Sequence, residues 1–108
     1  MPDPAILLCL CTCPDAASAQ RLAETLVAEQ LAACVNHLPG VLSTYRWQGK
    51  VSTDGEELLL IKTTAARFEA LKARLLELHP YEVPELIALS VEHGHDAYLD
   101  WVRANVAE

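Results

Sequence analysis

Three segments of this 108-residue chain are apolar at every position: "AILLCLC" over 5–11, "LLLI" over 58–61 and "LIAL" over 86–89. All are far shorter than the ~20 residues a membrane-spanning helix needs, and short apolar runs bounded by turn residues read as strands. A strand with one wet face alternates apolar and polar side chains, so a run without alternation needs both faces of its sheet covered. A domain of this size buries only about two-thirds of the surface its unfolded chain exposes. The chain therefore has to find cover for two sheet faces with little material to spare.

The segments between these runs supply one layer of cover. Pro14-Asp15 ends the first strand, and Asp15 can cap a helix from Ala16 to about Ala33 whose apolar stripe is Leu22, Ala23, Leu26, Val27 and Leu31. Residues 34–48, "CVNHLPGVLSTYRWQ", read as a second strand interrupted by Pro39-Gly40, and Gly49 turns the chain back into a third strand over 50–63. Thr64 can cap a second helix bearing Phe68, Leu71, Leu75 and Leu78, which Pro80 stops. Leu86–Val91 forms a fourth strand, and from His95 or Asp96 a short third helix places Tyr98, Trp101, Val102 and Val106 on one face.

The order β-α-β-β-α-β is the ferredoxin-like plan, an α+β fold in which two helices back one face of a four-stranded antiparallel sheet. Here it has an added C-terminal helix and occupies 1–108 as a single domain. The plan leaves the second sheet face bare. A further copy of the same chain, or the third helix reaching onto a neighbour, is the simplest cover, because symmetric assembly is the usual way such a face is hidden.

Fifteen acidic residues against eight basic ones give a net charge of −7 with no Lys/Arg cluster. Nucleic acid is thereby disfavoured as a partner, since affinity for phosphate backbones rests on neutralising cations. "MPDPAILLCLCTC" has neither a basic leader region nor a membrane-length apolar stretch, so the reading is a cytoplasmic protein with no membrane partner. Four cysteines in such a chain argue for free thiols.

Cys9, Cys11 and Cys13 alternate along the first strand and point to one sheet face. They are soft enough to bind copper or zinc, but a strand holds them in a line where tetrahedral coordination wants convergence, and Cys9, Cys13 and Cys34 read as small buried hydrophobes. His93 and His95 in "EHGH" form a weak i, i+2 pair. His79 precedes Pro80 and is held extended; its ring either satisfies the last carbonyls of the second helix or serves a site. Glu82 and Glu85 flank Pro84 as an acid/base candidate pair. No P-loop, dinucleotide fingerprint, HExxH or CxxC is present, and no nucleophile–base set can be argued, so the chain reads as a non-enzyme without an organic cofactor.

Taken together, "LCTCPD", "LAACVN", "STYRWQGKV", "ELLLIKT", "HPYEVPELIAL" and "YLDWV", in this order over residues 6 to about 103, resemble the CutA family of divalent-cation-tolerance proteins. The resemblance implies a homotrimer with PII-like architecture that binds copper or another divalent ion and contributes to the response to metal ions. It places metal ligands at Cys11 and His79; some members have a second histidine just before the latter, where this chain has Leu78. It also places Trp47, Lys50, Glu56, Lys62, Tyr81, Glu85, Tyr98 and Trp101 around intersubunit clefts. Large aromatics there suit interface anchoring. By analogy with PII, the same clefts would suit a signalling or scaffold trimer holding a small anionic metabolite or a protein.

Overall fold

Asp15 ends one element and begins the next: its Oδ1 accepts the Ser18 N–H at 2.7 Å and caps the first helix. The computed structural model describes residues 5–107, so the leader-free reading of residues 1–4 lies outside the described residues. Its elements are β1 (Ile6–Cys13), α1 (Ala16–Ala28), β2 (Cys34–Trp47), β3 (Lys50–Thr64), a 3-10 turn, α2 (Phe68–Leu78), β4 (Ile87–Val91) and α3 (Asp96–Ala104). The four strands form one antiparallel sheet in the order β2-β3-β1-β4. Each helical crossover therefore steps over one strand, and β1 is central.

Helix α1 stops short of the expected Ala33. Gln30 takes a left-handed φ of 59°, and the chain leaves the helix so that the Ala33 N–H can reach the Lys62 carbonyl at 2.9 Å. Leu31 continues the apolar spacing and is buried, but from the connection rather than from the helix. Pro39-Gly40 falls at a register shift between Leu38 and Val41, a bulge in an otherwise continuous strand. The β2–β3 turn uses Gln48 (φ 50°) and Gly49 (φ 82°), the two left-handed residues a tight hairpin demands.

Register assigns every strand residue to a face. Cys9, Cys11 and Cys13 lie with Ile61 and Leu59 on the side that receives Ala19, Leu22 and Leu26 of α1 and Leu71 and Leu75 of α2, forming the main core. The opposite face carries Leu8 and Leu10 of β1, Leu58, Leu60 and Lys62 of β3, and Ile87, Leu89 and Val91 of β4. Helix α3 covers one end of it, where Val102, Leu99 and Val106 pack on Ile6 and Val91. Tyr98 and Trp101, expected on one face with Val102, stack on each other with centroids 5.8 Å apart and remain exposed, while Val102 is buried. Leu99, one turn before Val102, takes the inward position beside it.

The rest of the second face is open in the single chain: Ile87 and Leu89 are about half exposed, at 51% and 52%. Beyond the last β1 partner, Glu57, the β2–β3 hairpin continues as a two-stranded arm. The molecule is accordingly elongated, with principal extents of 49 × 25 × 22 Å.

Candidate functional site

The site sits where the end of β1 meets the connection out of α2. Pro80 cannot continue a helix and forces its predecessor into extended backbone. His79 therefore leaves α2 with ψ 135° and turns its imidazole back under the sheet. It does not satisfy the last carbonyls of α2. Its Nδ1 accepts the Tyr81 N–H at 3.1 Å, which leaves the ring proton on Nε2, and Nε2 donates to the Thr12 carbonyl at 2.7 Å.

This position brings Nε2 to 3.8 Å from the Cys13 sulfur. With Cys11, the donor atoms of the three side chains all lie within 4.8 Å of one another, and all three residues are buried. Cys13 therefore belongs to the cluster, whereas alternation alone made it a small buried hydrophobe; 66 residues separate it from His79, and no spacing signal links them. Cys9 keeps the structural role: it is buried in the core and burial pushes its thiol up to about 11.

Cys11 and Cys13 shift each other's thiols in opposite directions. Hydrogen bonding to Cys13 holds the Cys11 thiol well above the ordinary range, reinforced by burial and by the Glu85 and Glu56 carboxylates. Cys13, which accepts that hydrogen bond, is lowered despite its burial. Two sulfurs and an imidazole nitrogen are a soft donor set, the chemistry that takes copper or zinc and not magnesium or calcium. Ion bonds of roughly 2.3 Å to sulfur and 2.0 Å to nitrogen reach across a gap of up to about 4.3 Å, so the 3.8 Å separation of Cys13 and His79 admits one ion between them. Engaging Nε2 would break its bond to Thr12 and displace the proton toward the Tyr81 amide, a cost of about 1 kcal/mol for each hydrogen bond lost.

Across the sheet from this cluster is a cleft of about 650 Å³, lined by Thr12, Ser43, Tyr45, Trp47, Glu56, Tyr81 and Glu85 among others. Tyr81 joins the two places: its amide holds His79 and its hydroxyl donates to Glu56 at 2.6 Å. Burial and the neighbouring Glu56 raise the Glu85 carboxyl above its usual range. Of the eight residues expected around clefts, Trp47, Glu56, Tyr81 and Glu85 meet here. Lys50 pairs with Trp47 across the hairpin turn and does not line the cleft.

The remaining three form a second group on the open face. Lys62 donates to Asn36 and lies 4.0 Å from the Cys34 sulfur, and Tyr98, whose hydroxyl is pushed up by burial and by the nearby Cys34, stacks on Trp101. His37 pairs with Glu57 at 3.0 Å, and His93 and His95 are exposed. Among the described residues, none of these joins a convergent group of three metal donors.

The family model for the CutA1 divalent ion tolerance protein matches residues 7–105. The divalent-cation tolerance protein CutA of Thermus thermophilus is 53% identical over 96 residues, 89% of this chain and 93% of that protein. Its counterpart from Citrobacter koseri is 45% identical over 103 residues, 95% of this chain and 90% of that one. Among solved structures, the Thermus thermophilus protein superposes with a TM-score of 0.92 at 50% identity, covering 94% of this chain and 99% of that one. CutA1 from Oryza sativa gives 0.95 at 42% identity, covering 98% and 97%. The sheet, its three helices and near-complete coverage by these relatives all agree: the chain belongs to the CutA1 divalent ion tolerance family.

Proposed function

We propose that this protein is a non-enzymatic, cytoplasmic homotrimer of ferredoxin-like, PII-like subunits that binds copper or another divalent ion and so contributes to metal tolerance. The observation that carries the metal reading is the convergence of Cys11, Cys13 and His79 within 4.8 Å. Cys11 and His79 are the ligands that the family resemblance implies, and Cys13 adds a second sulfur to the donor set. The relatives' names describe tolerance of divalent cations. Free thiols on all four cysteines suit a reducing compartment; one relative, from Archaeoglobus fulgidus, is titled periplasmic. No helix among the described residues is long and apolar enough to cross a membrane.

The trimer is supported by the open sheet face. Half-exposed Ile87 and Leu89, with Leu8, Leu10, Leu58 and Leu60 beside them, make an apolar surface of the kind that marks an interaction site. Trp47, Lys50, Glu56, Lys62, Tyr81, Glu85, Tyr98 and Trp101 lie on or around this face and are the proposed interface and cleft residues.

A second reading, a signalling or scaffold trimer, draws on the 650 Å³ cleft. Its lining includes Glu56, Glu82 and Glu85 and neither Lys nor Arg. On this chain's side of the cleft, the carboxylates and aromatic walls favour a neutral or cationic ligand over an anionic one.

Calorimetric titration with copper and zinc, repeated on Cys11→Ser and His79→Ala, tests the metal reading. Affinity should fall at least tenfold in each variant; unchanged affinity in both would remove the site from these residues.

A further inference from the structure

We propose that Cys13 is the residue that sets metal preference, and that with Cys11 it makes the site selective for monovalent copper over divalent ions. The inference rests on the metal reading above and names the ion class that the site takes.

Strand geometry is the starting point. Residues i and i+2 on one strand stand about 6.6 Å apart at Cα with parallel side chains, near the upper limit for a disulfide and with poorly directed bonds. Two metal–sulfur bonds of roughly 2.3 Å span up to about 4.6 Å. The Cys11 and Cys13 sulfurs lie within 4.8 Å of each other, so a small side-chain rotation lets one ion bridge them at a wide S–metal–S angle. Two thiolates side by side on a strand are poor corners of a tetrahedron. They are good partners for an ion that accepts two or three ligands.

Enclosure makes the same selection. Cys11 and Cys13 are 0% exposed and His79 is 7% exposed, so an ion entering the cluster sheds its water and finds these three donors. Zinc takes four ligands in nearly all structural sites, and magnesium keeps several waters in an octahedron of oxygens. No carboxylate joins the group of three. Monovalent copper prefers soft sulfur ligands and is satisfied by two or three of them.

His79 reinforces the preference. With Nδ1 accepting from Tyr81 and Nε2 donating to Thr12, its lone pair is committed, and ligation by nitrogen is the step that disturbs the surroundings. Cys11 and Cys13 would hold the ion, and the imidazole would join them only if its ring proton moved from Nε2. Binding exchanges two thiol protons for one cuprous ion; no electron is transferred.

The test uses the full-length protein under anaerobic, reducing conditions. Cu(I) is titrated in competition with a chromophoric cuprous chelator, Zn(II) and Ni(II) are titrated separately, and copper K-edge absorption counts the sulfur neighbours. Expected are one Cu(I) per chain with two sulfur ligands, at least a thousandfold preference over Zn(II), and a hundredfold or greater loss in Cys13→Ala with one sulfur neighbour remaining. Cys13→Ser, close in volume, should lose as much, and circular dichroism of both variants confirms that they fold. Cu(I) affinity unchanged by both substitutions, or tighter Zn(II) than Cu(I), overturns the inference while binding that still depends on Cys11 and His79 leaves the metal reading standing. A wild-type protein that binds none of the three ions overturns both.

Discussion

Placing one charge on the open sheet face tests whether copies of this chain cover it. Leu89 and Leu76 are each 52% exposed, but Leu89 projects from β4 onto the open face and Leu76 from α2 on the helical layer. Leu89→Glu and Leu76→Glu are therefore matched for solvation in the single chain and differ only in what assembly would do to them. Fully burying a leucine is worth about 1.5–3 kcal/mol, so covering the exposed half contributes roughly 1 kcal/mol per subunit. An unpaired carboxylate at the same place adds a penalty of a few kcal/mol. Over three symmetric copies the loss is on the order of 10 kcal/mol, about seven powers of ten in the assembly constant. Sedimentation velocity at micromolar concentration should show wild type and Leu76→Glu at the mass of three chains and Leu89→Glu as a monomer. If Leu89→Glu remains trimeric, or if wild type is a stable monomer, the argument from the non-alternating strands is wrong.

Leu78, which packs on the main core from the end of α2, stands one residue before His79; Leu78→His should tighten copper binding at least tenfold by calorimetry while lowering stability by about 1–3 kcal/mol for the lost burial. The raised Glu85 carboxyl means that the folded state holds this proton more tightly than the unfolded chain. Stability then declines as pH rises from the ordinary carboxylate pKa through the folded value. Glu85→Gln should remove that part of the decline and raise the melting temperature at pH 7, with no gain below pH ~4, as read by thermal denaturation across pH. Leu59→Ala, at a fully buried centre of the sheet, should cost about 2–5 kcal/mol in urea unfolding. Gly49→Ala should destabilise the hairpin arm by about 1 kcal/mol: the left-handed φ of 82°, not crowding, is the obstacle, since nothing lies within 4 Å of the added carbon.

The strands and helices were readable because periodicity reports directly on which side of an element is covered. Errors arose where a long-range contact overrode local pattern. Leu31 extends the stripe of α1, yet the pairing of Ala33 with Lys62 pulls the chain out at Gln30. Tyr98, Trp101 and Val102 read as one helical face, but of these only Val102, joined by Leu99, makes the contact with Ile6. At the candidate site, the restriction that Pro80 places on His79 was visible in the sequence. The residue that His79 reaches was not, because the approach of Cys13 depends on how α2 lies across β1.

Strand β1 has its hydrogen-bonding partners in β3 and β4, at Glu57–Thr64 and Ile87–Val91, so it leaves the ribosome long before either exists. Non-local pairing of this kind is slow, and a growing chain waits for it with apolar surface uncovered. Cys9, Cys11 and Cys13 ride on that strand. During synthesis these thiols are open to every oxidant and metal ion in the surroundings, while in the finished molecule all three are 0% exposed. The most vulnerable moment for this chemistry is thus before folding ends, and an ion caught early would be carried inward as the sheet closes.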